Sequence, residues 1–192
     1  MTASATDWYA FPELVLHPER VLYRVHRNQN DPVHFCSDGT GRFDLTAVDG
    51  TGTCYMSPSP IGAYIETFGR LGTITVSDIA ERCLTELALT RPVRLADTTD
   101  RGVLGSYGIT GDISAGTDYS PSQQVAARLY EAGFDGVYYT ARHDPAFQER
   151  SVAVFGGAGD TKLFVSASYD IPDELLRQGA REFHLAVLPD LH

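Results

Sequence analysis

Hydrophobic and polar positions alternate most clearly at Val21-Leu22-Tyr23-Arg24-Val25-His26, which predicts a strand with Leu22 and Arg24 on one face and Tyr23 and Val25 on the other. A second strand is predicted to end at Cys54-Tyr55-Met56, before a Ser/Pro turn. Ser59 can cap, and Pro60 can open, a helix on which Ile61, Ile65 and Phe68 recur at i, i+4 and i+7 and face a core. Glu66 and Gly62 share a neighbouring face of that helix. Residues 72–76 read as a strand, and Ser77 as the cap of a helix whose apolar positions Ile79, Cys83 and Leu87 step by four. A further strand is expected over 91–97. Ser120-Pro121-Ser122-Gln123 has the form of a capping box opening a helix through Glu131 that stops at Gly133. Strands over 134–140 and 151–156 are expected to pair, followed by a short helix over 171–178 and a last strand over 182–188.

The intervening stretches are polar. Residues 1–20 carry Trp8, Tyr9 and Phe11 among polar residues and read as an arm packed on the body without regular structure. Residues 27–53 form a long loop, and long loops inside a compact domain are more often functional than idle. Residues 98–119 suggest a surface loop with a helical turn. Strands and helices mix without a regular βαβ alternation, so the fold class expected is α+β, in a single domain. Its parts are an arm over 1–20, a core over 21–157 and a C-terminal extension over 158–192 packing on the core.

Composition narrows the function classes. With 192 residues, 43% hydrophobic and 21% charged, the chain is long enough for one well-filled core. No apolar run approaches the roughly 18 residues that a membrane span needs, and no secretory leader is visible, so a soluble cytoplasmic protein is expected. A net charge of −10 repels phosphate backbones and argues against nucleic acid as a partner. A local arginine cluster could still hold a small phosphate ligand, because screening confines the wider field to about 8–10 Å. Cys36, Cys54 and Cys83 are widely spaced and odd in number, which fits reduced thiols. The six histidines show no ligand spacing, so no metal is expected, and His143-Asp144 reads as turn chemistry.

Common catalytic signatures such as GxSxG, GxxxxGK[ST], HExxH and GxGxxG are missing. What remains is a set: Arg24, Arg42, Tyr55 and Glu66, with Thr140, Arg142 or Ser151 arriving later in the chain. A carboxylate at the edge of a buried helix face, with Gly62 letting a ligand come close, is suited to steadying a cationic centre; an ordinary exposed helical Glu is the alternative. Arg24 and Arg42 fit anion binding, and equally a snorkelling surface residue and a solvated loop charge.

In this series the chain resembles the RES domain family, named for an Arg, a Glu and a Ser. The matching pieces are Leu22-Tyr23-Arg24, Gly41-Arg42-Phe43, Thr53-Cys54-Tyr55-Met56-Ser57, Ile61 to Thr67, and Gly133-Phe134-Asp135-Gly136-Val137 running to Ser151-Val152-Ala153-Val154-Phe155-Gly156, all in the family's order over roughly 20–157. The resemblance implies an α+β fold similar to ADP-ribosyltransferases and an enzyme that destroys NAD. NAD is then a substrate and not a cofactor. It further implies the toxin of a bacterial toxin–antitoxin pair with an Xre-type antitoxin as partner. Glu66 would stabilise the oxocarbenium-like centre, Arg24 and Arg42 would grip the pyrophosphate or a ribose, and Tyr55 and Tyr23 would pack against the nicotinamide or its ribose. Arg142 joins them as a candidate binding residue.

The family's Ser aligns with Ala141, so the hydroxyl must come from Thr140 or from Ser151, with Ser151 slightly favoured. Transfer of ADP-ribose to a protein, and a catalytically silent nucleotide-binding module, are the competing readings. A homo-oligomer is compatible with the sequence.

Overall fold

The computed structural model describes residues 7–157 and 163–190. Two antiparallel-rich sheets pack face to face, and their inner faces explain most of the apolar pattern. The larger sheet has the order β1-β6-β7-β8-β3, from β1 (Glu13–Leu16), β6 (Val93–Asp97), β7 (Gly136–Thr140), β8 (Arg150–Gly157) and β3 (Thr51–Met56). The smaller has the order β2-β5-β9, from β2 (Val21–Arg27), β5 (Arg82–Leu89) and β9 (Phe164–Asp170). Leu22, Leu87 and Leu89 from the small sheet meet Leu16, Cys54, Met56, Val93, Leu95, Val152 and Val154 from the large one. Only one strand pair of the large sheet, β6 with β7, is parallel. The result is the α+β architecture expected.

Each outer face is covered by helix. On the large sheet lies α5 (Ser120–Glu131), with Ala126 and Leu129 packed on Val137, Ala153 and Phe155. On the small sheet lie α1 (Pro60–Phe68) and α6 (Asp173–Phe183), enclosing Val25, Leu84, Ile61, Ile65, Phe68, Leu175 and the fully buried Tyr64. The α1 stripe is as its spacing demands, and Ser59 caps it by accepting the Gly62 N–H at 3.0 Å. A minor parallel pair joins β4 (Ile74–Thr75) to β10 (Val187–Leu188).

Several expectations are corrected. The N-terminal arm is not irregular, since β1 pairs along β6 in the register Glu13↔Ala96 to Leu16↔Val93. The helix expected from Ser77 through Leu87 shrinks to α2 (Val76–Ala80), capped by Thr75 with Asp78 closing the capping box, and residues 82–89 are the central strand β5. Ser120 is not a cap: α5 follows Tyr119 with no side-chain cap, and Gln123 bonds elsewhere. At the C-terminal end, α6 runs through Phe183 and His184 takes a left-handed φ of 56°, so only Val187–Leu188 of the expected last strand is extended. Strand β9 was not anticipated. The 98–119 segment contains two single-turn helices, α3 (Arg101–Leu104) and α4 (Asp112–Ala115).

Candidate active site

Where β2, the end of β3, α1 and the β7–β8 pair converge, they leave a cavity of about 450 Å³. Its wall includes Tyr23 and Arg24 from β2, Tyr55 from β3, Glu66 from α1, Tyr139 from β7 and Ser151 from β8. Loops add Gly41, Arg42, Arg70, Tyr119, Arg142 and His143. Arg24, Arg42, Arg70, Arg82 and Arg142 thus place five of the chain's fifteen basic residues around one carboxylate, in a protein whose net charge is −10. A cavity of that composition is built for an anion with a cationic part near Glu66.

Alternation along β7 places the two hydroxyls differently. Tyr139 stands directly across from Ser151, and both face the cavity, whereas Thr140 points the other way and is not in the lining. Ser151 is 1% exposed, and beside the Tyr139 phenol its hydroxyl makes no hydrogen bond of ordinary geometry. Ala141 is buried, with its backbone N–H bonded to the Glu149 carbonyl at 3.0 Å.

Glu66 accepts the backbone N–H of Arg142 at 2.9 Å. Burial pushes its carboxyl above the ordinary range, against the opposing pull of the Arg142 and His143 backbone N–H groups and the charges of Arg42 and Arg142. Burial, and then the charge of Glu66, raises the Tyr139 phenol well above its usual value. His143 is lowered by burial and by the neighbouring Arg142, Arg70 and Arg42, so the imidazole is neutral at pH 7. Its neighbour Asp144 does turn work, accepting the N–H groups of Ala146, Gln148 and Glu149.

The arginines are held by backbone oxygens. Arg24 donates to the Pro32 carbonyl at 2.8 Å and reaches Cys54 Sγ at 3.2 Å. Arg42, 6% exposed, donates to the carbonyls of Asp112, Ile113 and Gly116 at 3.2, 3.2 and 3.0 Å and lies 4.7 Å over the Tyr119 ring. Arg142 donates to the Tyr119 hydroxyl at 3.1 Å. Arg82 is tied to Asp78 at 3.5 Å, and Arg70 makes no ion pair among the described residues.

One expected role changes. Gly62 does not admit a ligand: it is buried, outside the lining, and a Cβ there would run into Ser57 Oγ. The Tyr55 ring lines the cavity, but its hydroxyl is committed, donating to Asp44 at 2.7 Å and accepting the Phe43 N–H at 2.8 Å. Among the described residues, Cys36, Asp38 and Asp44 gather potential metal-ligand atoms within 4.8 Å of one another. Asp44 and Asp38 there already accept the N–H groups of Gly41 and Thr40, so the cluster closes its own loop.

Against known families, a model described as the RES domain matches residues 21–173, most of the chain. The chain belongs to the RES domain family. Among solved structures, the M. tuberculosis MbcT–MbcA toxin–antitoxin complex contains a chain with a TM-score of 0.59 at 16% identity, covering 82% of this chain and 87% of that one. At that identity the likeness is one of fold. No curated protein matches. Arg24 and Glu66 both stand in the cavity wall of this RES domain. No helix among the described residues is long and apolar enough to cross a membrane.

Proposed function

We propose that this RES domain cleaves NAD at the bond between nicotinamide and ribose and passes the ADP-ribose to water or phosphate. The observation that carries the reading is the single carboxylate, Glu66, set among five arginines in one cavity. As the C1′–N bond breaks, its electron pair goes to the pyridinium nitrogen, nicotinamide leaves neutral, and positive charge gathers on the ribose. Glu66 offers that charge its counter-ion. Arg24 and Arg42, anchored by carbonyls, grip the diphosphate, with Arg142 beside them. Ser151, whose hydroxyl makes no hydrogen bond of ordinary geometry, is the group to bond a ribose oxygen. Tyr23 and Tyr55 supply aromatic walls for the nicotinamide ribose.

By its family and by a fold shared with a chain of a toxin–antitoxin complex, the protein is further read as the toxin of such a pair, with an Xre-type antitoxin as its partner. The test is NAD consumption by the purified protein, followed by NMR in buffers with and without phosphate, beside Glu66→Gln and Ser151→Ala. Nicotinamide release that falls by about 10²–10³ in Glu66→Gln supports the reading, and dependence on phosphate selects phosphorolysis. No release in any buffer overturns it and leaves a nucleotide-binding module.

A further inference from the structure

Asp44 is fully buried, and the reaction outlined above gives it no part. One of its oxygens accepts the Gly41 N–H at 2.8 Å, and the other accepts the Tyr55 hydroxyl at 2.7 Å. Tyr55 in turn accepts the Phe43 N–H, and Thr53 donates its hydroxyl to the Phe43 carbonyl at 2.8 Å. From the other side Gln123, on α5, donates its amide to the carbonyls of Gly39 and Gly41, both at 3.0 Å. A Cβ at Gly41 would run into the Asp44 carboxylate and the Tyr55 hydroxyl, so only glycine lets the turn close this tightly. From this clamped turn Thr40 and Arg42 reach the cavity wall, and Arg42 is the one that carries charge. An arginine on a free loop must be immobilised when its ligand binds; here the ordering is completed during folding.

We propose that Asp44 is the positioning residue for Arg42, with Gln123 as the second clamp, and that together they set the affinity of the cavity for a diphosphate. The proposal rests on the NAD reading for the identity of the ligand; its claim about Arg42 holds for any diphosphate.

The experiment is calorimetric titration of the whole protein with inorganic pyrophosphate and with ADP-ribose, for wild type, Asp44→Asn, Arg42→Ala and the double variant. Asparagine keeps the shape of the side chain but cannot offer acceptors to both the Gly41 N–H and the Tyr55 hydroxyl. Asp44→Asn should weaken binding about tenfold, Arg42→Ala at least as much, and the double variant no more than Arg42→Ala alone, because Asp44 acts through Arg42. Gln123→Ala, on a side chain that makes no part of the core, should weaken binding about threefold in the same non-additive way, and it answers the question should Asp44→Asn fail to fold. In turnover Asp44→Asn and Gln123→Ala, neither of which touches the substrate, should raise KM more than they lower kcat. Losses that multiply in the double variant, or wild-type binding by Gln123→Ala, overturn the proposal. Binding of pyrophosphate with the expected pattern but without NAD turnover keeps the positioning role and removes the NAD reading; a wild-type protein that binds neither anion removes both.

Discussion

Glu66 is the residue on which opposing forces are most evenly set. Burial favours its neutral form, the guanidiniums and two backbone N–H groups favour the ion, and burial prevails. The ionised form is the one that steadies a cationic ribose, so the rate should rise with pH through a value above the ordinary glutamate range. Arg142→Gln removes a charge that favours the ion, so it should move this acid limb further up; a pH profile of kcat/KM reads both. The same imbalance bears on stability. A carboxyl whose folded pKa is raised costs stability above that pKa, and the cost fades as pH falls through it. Glu66→Gln should therefore raise the melting temperature at pH 8 and change it less at pH 4, as calorimetry would measure. Glu66, Arg24 and Tyr55 were legible because each stands one step from an apolar pattern that fixes its face. Arg70, Arg82, Tyr119 and Tyr139 were not, since only tertiary folding brings a post-helix loop, a β5 residue, a turn and a β7 residue to one wall. That Ser151 lines the cavity and Thr140 does not follows from the residue-by-residue pairing of β7 with β8, which spacing in the sequence leaves open.

At the level of elements, the misread stretch is instructive. A step of four residues returns to one face of a helix and equally to one face of a strand, so Ile79, Cys83 and Leu87 could not tell the two apart. What decides for β5 is that it has a core on each side: Leu84 faces α1 and α6, while Leu87 and Leu89 face the large sheet. In strand β9, Val165, Ala167 and Tyr169 alternate with Ser166, Ser168 and Asp170, but every residue after Phe164 is exposed, so no buried stripe marks the strand. Helix α1 was legible from cap to stripe, but what it leans on was not. Gly179 of α6 sits against the Tyr64 ring, and a methyl group there would enter the ring's space. Gly179→Ala should cost about 1–3 kcal/mol in denaturant unfolding and, by shifting α1, lower turnover through Glu66. Unchanged stability would mean that the two helices slide apart without cost.

Across the whole molecule, the elements after residue 162 belong to the same core as those before 158. Leu163 and Phe164 pack between the sheets, and Ile171, Leu175 and Leu185 close the layer over α1. Burying each of these five is worth about 1.5–3 kcal/mol, against a total margin of about 5–15 kcal/mol for a domain. A chain ended at residue 157 should therefore show no cooperative thermal transition by circular dichroism. The large sheet has a further property. Its last strand in space, β3, pairs with β8, so that Tyr55 lies opposite Ala153 and Met56 opposite Val152, across about half of the sequence. Contacts of such separation form late, after the loop between them has been synthesised and closed. The cavity cannot exist on a nascent chain before β8 has left the ribosome. Whatever the site does, it begins only after β8 has been made, and a message broken before that point yields an inert fragment.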